Sequence, residues 1–241
     1  MKLLALDSTA TPASAAVVED GKLLGEFFIN TRQTHSQTLL PMAESVLRYT
    51  ETEIGEIGLF AVSAGPGSFT GVRIGVACIK GLAMPGNVPC VGVSTLEAMA
   101  YNLAHLDAAI CAVMDARCGQ VYNAVFTSDG ETFSRLTEDR ALSIDELAKD
   151  CEKYKKPLYL VGDGANLCYN KESFQALGAK LPPQPLVYQR AYGVAQAALA
   201  AYRQGTTVTP AALAPIYLRL PQAERELKKR LANKSITEGS R

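Results

Sequence analysis

Apolar residues fall into short runs separated by turn residues, and the first hundred positions alternate between two periods. Lys2–Leu6, Ser14–Val18 and Lys22–Ile29 read as strands, with Asp20-Gly21 as a hairpin turn between the last two. Leu39, Met42, Ala43, Val46 and Leu47 recur at helical spacing and predict a helix over 36–49, with Pro41 in its first turn. Leu59–Ser63 predicts a strand, Gly65-Pro66-Gly67-Ser68 a turn, and the stretch from about 70 to 83 a helix. Val88–Val93 is the next strand. Ser94 and Glu97 form a capping box opening a helix on Leu96, Met99, Ala100 and Leu103.

The second half repeats the opening plan. Ile110–Met114 ends in Asp115 as Lys2–Leu6 ends in Asp7, and a strand at Val121–Thr127 runs into the turn Asp129-Gly130. Two strand meanders with an acidic residue closing the first strand suggest a duplicated α/β fold. The boundary is expected near 104–108, giving one domain at 1–105 and a second at 106–220. Beyond these, helices are expected near 144–154 and 188–203, a strand at Leu158–Val161, and a polar, fraying helical tail over 221–241.

Composition narrows the classes. The 241 residues are 48% hydrophobic and 20% charged, enough for a packed core and incompatible with disorder. Lysine plus arginine and aspartate plus glutamate are 24 each, so the basic surplus of a chain that holds nucleic acid alone is absent. The first apolar run stops at Asp7, too short for a secretion signal, and no stretch reaches the length of a membrane span. Six scattered cysteines without a paired C-x-x-C fit reduced thiols, so a cytoplasmic location is expected.

Candidate chemistry is sparse. Asp7, Ser8 and Thr9 close the first strand and could form a vestigial phosphate loop, although Asp and Ser also bond their own backbone in turns. The stretch Gly65–Gly75 could present N–H groups at a helix start, but it lacks the Gly-Lys-Ser/Thr ending of a P-loop. Its helix is apolar nearly all round, with Val72, Val76, Ile79 and Ala83 on one face, Gly71, Gly75 and Cys78 on a second, and Ile74, Ala77 and Gly81 on a third. Glycine inside a helix costs about 1 kcal/mol against alanine, so another element is expected to approach closely, from this chain or from a second subunit. His35 and His105 stand apart, giving no metal site, and no activated nucleophile is evident. Asp115-Ala116-Arg117 could be an ion pair or part of a site.

Together these residues resemble the TsaB (YeaZ) family, the partner subunit in bacterial tRNA threonylcarbamoyladenosine synthesis. The resemblance covers most of the chain: Ala5–Thr9, His35-Ser36-Gln37, Leu40-Pro41, Gly65–Gly75, Ser94–Ala98, Asp115-Ala116-Arg117, Val121-Tyr122, Gly162-Asp163-Gly164 and Pro215–Arg219. Gln120 departs from the family's frequent Glu. The resemblance implies two actin-like (ASKHA, ribonuclease H-like) domains in tandem, the second reduced. It also implies a scaffold or activating role beside the catalytic relative TsaD, with the ATPase TsaE joining and threonylcarbamoyl-adenylate supplied by a separate enzyme. Matched on the shared Leu-Glu, TsaD's metal-binding histidines fall on Thr95 and Met99, which cannot replace imidazole ligands. No catalytic residue, metal or cofactor of its own is therefore expected; ATP and metal belong to TsaD and TsaE. Pairing, with TsaD or with a second copy, is expected through the helices at 36–49 and 70–83, with Leu39, Met42, Val46, Gly71, Ile74, Gly75, Cys78 and Leu82 at the interface. Contact with tRNA is expected only within the complex, and none with membrane. The rival reading is an independent ATP-binding, small-molecule kinase-like enzyme of the actin-like superfold, with Asp7–Thr9 as its best support.

Overall fold

The computed structural model describes residues 1–219, so the tail expected over 221–241 lies outside the described residues. Strands β1 (Lys2–Asp7), β2 (Ala13–Glu19), β3 (Lys22–Ile29), β4 (Ile57–Gly65) and β5 (Cys90–Ser94) form a sheet in the order β3-β2-β1-β4-β5. β1, β2 and β3 run antiparallel as a meander, and β1, β4 and β5 run parallel. Alternate residues of β1 face opposite cores. Leu4 and Leu6 meet helices α1 (His35–Tyr49) and α2 (Phe69–Ala83), while Leu3 and Ala5 meet helix α7 (Ala191–Arg203). A strand covered on both faces reads as an unbroken apolar run, as Leu3–Leu6 does.

The second sheet repeats this plan. β6 (Asp107–Asp115) pairs antiparallel with β7 (Gln120–Asp129) and parallel with β10 (Leu158–Val161), as β1 pairs with β2 and β4. β8 (Phe133–Arg135) and β9 (Arg140–Ser143) both pair with β7. One face packs on α4 (Ile144–Cys151), α5 (Ala165–Tyr169) and α6 (Glu172–Ala176). The other packs on α3 (Thr95–Ala100), whose Leu96 and Met99 meet Ile110, Ala112 and Met114. The fold is the expected tandem pair of α/β units.

Three expectations are corrected. Pro41 lies beyond the first turn of α1, which begins at His35. The Ser94 hydroxyl does accept from the Glu97 N–H, but Glu97 does not return the bond because its carboxylate takes Arg135 at 2.8 Å. The chain also does not stay in the second unit to residue 220. Ala191, Val194, Ala195 and Ala198 of α7 pack on Leu3, Ala5, Val18 and Leu59 of the first sheet. The segment after α7 stays there: Val208 bridges Cys90 on the edge strand, Lys80 donates to the Ala211 and Leu213 carbonyls, and the Ile216 N–H donates to Ala64.

Candidate functional site

The turn after β1 is closed on itself. Asp7 Oδ1 accepts from the Thr9 N–H and hydroxyl, each at 2.9 Å, and the Ser63 hydroxyl donates to Oδ2. The Ser8 hydroxyl donates to the Gly71 carbonyl at 2.9 Å, and the Ser68 N–H to the Thr9 carbonyl at 2.6 Å. Burial pushes the Asp7 carboxyl above its ordinary range, against the pull of these donors. Asp7, Ser8 and Thr9 are at most 1% exposed, so they form no open phosphate cradle. That expectation is corrected: their polar groups are spent inside the chain, and of the three only Thr9 borders the cavity between the two sheets.

This cavity, of about 440 Å³, lies between the two sheets at the ends of β1 and β6. Its walls are the turn Thr9–Thr11, the turn Pro66–Ser68 with Phe69 at the start of α2, the end of β6 with Asp115 and Arg117, Asp163 after β10, and the strap Ile216–Arg219. Asp115 pairs with the guanidinium of Arg117 at 3.2 Å and also accepts the Arg117 N–H at 2.8 Å. Asp163 is placed beside it by Gly162, at φ +106°, and Gly164, where a Cβ would come within 3.0 Å of the Met114 backbone. Asp163 Oδ1 is buried without a partner among the described residues. Burial, reinforced by the charge of Asp115, pushes its carboxyl up to about 6. The strap is held by Tyr217 stacked on Phe69, centroids 4.9 Å apart, with the Arg73 guanidinium 3.8 Å over Phe69. Arg219 reaches the second unit by donating to the Ala116 carbonyl. Asp163, Tyr217 and Arg219 carried no assigned role in the sequence; their only signals were Gly162-Asp163-Gly164 and Pro215–Arg219 as motifs.

Helices α1 and α2 lie side by side on the first sheet, but the residues expected to face a partner mostly face inward. Leu39, Met42 and Val46 are core residues because their stripe is the one opposed to the sheet. Gly71 and Gly75 are buried, and a Cβ on Gly71 would sit 2.0 Å from the Ser8 carbonyl. On Gly75 it would meet Ser8 Oγ at 2.9 Å and Val62 at 3.1 Å. The close neighbour these glycines admit is thus the chain's own β1 turn and β4. Ile74, Cys78 and Leu82 are half-buried at the margin of the core. The outer surface is a different stripe: Leu40, Pro41, Glu44 and Tyr49 on α1, and Thr70, Arg73, Ala77 and Gly81 on α2, with Met84 at its end. A Cβ on Gly81 would meet nothing within 4 Å.

Thr95 and Met99 are both fully buried. Met99 packs in the core between α3 and the second sheet, and its Sδ occupies the space where a Cβ on Gly162 would lie, 2.9 Å away.

Residues 22–227 match the family described as TsaD: tRNA N6-adenosine threonylcarbamoyltransferase. The tRNA threonylcarbamoyladenosine biosynthesis protein TsaB of Escherichia coli is 30% identical over 225 residues, which span 91% of this chain and 95% of that protein. TsaB of Bacillus subtilis is 28% identical over 167 residues, 69% of this chain and 73% of its own. The solved structure of YeaZ from Pseudomonas aeruginosa shares the fold, with a TM-score of 0.76 at 23% identity, covering 90% of this chain and 99% of that one.

Proposed function

The chain belongs to the TsaB family, and on that premise we propose that it is the non-catalytic subunit that binds TsaD and supports threonylcarbamoyl transfer to adenosine 37 of tRNA, with TsaE completing the assembly. The observation that carries this reading is the burial of Thr95 and Met99. Where the catalytic relative has imidazoles, this chain has a hydroxyl and a thioether turned into its own core. Neither side chain reaches a space that a metal and a substrate could share.

The partner surface is the outer face of α1 and α2. Leu40, Pro41, Tyr49 and Met84 supply apolar area, and Ala77 and Gly81 let a facing helix come close. Both helices are 15 residues long, so the face they present suits another two-helix layer, from TsaD or from a second copy of this chain. Arg73 and Glu44 border it and would set register rather than affinity. A formal net charge of zero fits a subunit that meets tRNA only within the complex. The kinase-like alternative loses its support with the burial of Asp7 and Ser8.

The test is reconstitution with unmodified tRNA, a threonylcarbamoyl-adenylate supply, ATP, TsaE and TsaD from the same source, with and without this chain. Modified nucleoside formed only when TsaD and this chain are both present is the expected result. Equal product in its absence, or product from this chain without TsaD, overturns the proposal.

A further inference from the structure

The strap that borders the cavity is fastened at the surface rather than in a core. Leu213 still packs in the core of the first unit, and Lys80 holds its carbonyl at 3.1 Å. Beyond it Ala214, Ile216 and Tyr217 are exposed, and Pro215, Leu218 and Arg219 are half-buried. A segment with so little buried apolar surface stands at the low end of local stability. Its hold on the first unit is the Ile216 N–H, which donates to the Ala64 carbonyl at 2.7 Å, and a cluster around Tyr217. There Arg73 Nε donates to the Tyr217 hydroxyl at 2.8 Å, and the Arg73 guanidinium lies over the Phe69 ring on which Tyr217 stacks. Its hold on the second unit is the Arg219 guanidinium, which donates to the Ala116 carbonyl at 3.3 Å.

Arg73 also belongs to a second feature. It lies one helical turn from Ala77 and two from Gly81, on the outward stripe of α2. Among the described residues only its Nε is engaged, and its two terminal nitrogens donate to nothing. A carboxylate can therefore meet those nitrogens without displacing Tyr217. A partner that covers the cluster also excludes water from it, and a cation is held more strongly over aromatic rings when desolvated.

We propose that the strap is a tie between the two units, latched by Arg73 and Tyr217, which a partner helix layer bearing a carboxylate opposite Arg73 tightens. This rests on the reading of the outer face of α1 and α2 as the partner surface. Docking on the first unit is then felt in the second, at the turn after β6, through Arg219 and Ala116. The Ala116 and Gln120 amides are bonded across that turn and report on it.

The experiment is hydrogen exchange read by mass spectrometry on the full-length chain, without and with saturating TsaD from the same source. Association is followed separately by size-exclusion chromatography with light scattering. In the isolated chain, Arg73→Ala should speed exchange over residues 214–219 by about tenfold, the loss of one hydrogen bond and a cation–aromatic contact. The melting temperature should move by about 2 °C or less, because Arg73 is exposed. In the parent chain, TsaD should slow exchange both over 214–219 and in the turn at 116–120. Arg219→Ala should keep the first slowing and lose the second. Unchanged strap exchange in Arg73→Ala overturns the latch, and a turn still slowed in Arg219→Ala overturns the tie. Association that leaves strap exchange unchanged or faster overturns the coupling while sparing the partner surface. No association of the parent chain overturns the reading of that surface, and the proposal with it.

Discussion

At the level of single residues, buried carboxyls make the sharpest predictions. Asp163 titrates at about 6, against 3.8 for the free group, with Asp115, Arg117 and Arg219 as the charged groups on the surrounding walls. The folded chain therefore holds this proton more tightly than the unfolded chain does. The stability it contributes is complete below pH 4 and is lost as pH rises through 6, a change of up to about 3 kcal/mol. In denaturant melts, Asp163→Asn should match the parent near pH 4 and exceed it at pH 7. Asp7 is raised in the same direction by burial, but it has three internal donors. Asp7→Ala should therefore destabilise at neutral pH, by about 1–3 kcal/mol, because it strands the Thr9 and Ser63 groups. Gly71→Ala drives a methyl onto the Ser8 carbonyl and should cost about 3 kcal/mol, read as a lower urea midpoint.

At the level of elements, α2 carries two opposite predictions on one helix. Gly75→Leu should unfold the chain or lower its stability sharply, because the space beside Gly75 belongs to Ser8 and Val62. Gly81→Ala should stabilise the isolated chain by about 0.5–1 kcal/mol, since its Cβ meets nothing. Gly81→Glu should keep the chain folded and abolish the proposed association with TsaD, measured by size-exclusion chromatography with light scattering. The longer strands and helices were legible in the sequence because Leu4, Leu6, Val46 and Ile79 keep their periods, whereas the short β8, β9, α5 and α6 were not expected. The inward side of α2 was not. A helix apolar on three faces gives periodicity nothing to choose between, and a glycine carries no sign of which neighbour it admits. For α1 the same stripe that predicted the helix marked its core side, and assigning it to a partner ignored that one stripe cannot serve both. The cavity stayed hidden for another reason. Gly162-Asp163-Gly164 entered only as a motif of the resemblance, and its place beside Asp115 follows from the pairing of β10 with β6.

At the level of the whole molecule, the path of the chain matters more than the count of domains. The sequence repeat correctly indicated two similar sheets, but contact across distant segments decides where each ends. α7 covers an entire face of the first sheet, so a fragment of residues 1–105 leaves Leu3, Ala5, Val18 and Leu59 bare. That fragment should be insoluble or molten, with weak near-ultraviolet circular dichroism. The full chain should unfold in a single transition, because the second unit is threaded between the two parts of the first. Separate transitions for the two units would contradict that coupling.

The return of α7 also sets a timetable for synthesis. The first sheet leaves the ribosome well before the helix that seals it, which begins only at Ala191. Until α7 is made the nascent chain must carry an open apolar surface, and the second unit can complete itself while the first still waits. Final closure must wait until α7 has been made. Slow codons or a stall before Ala191 would thus prolong the interval in which chaperones, or other nascent chains, can reach that surface.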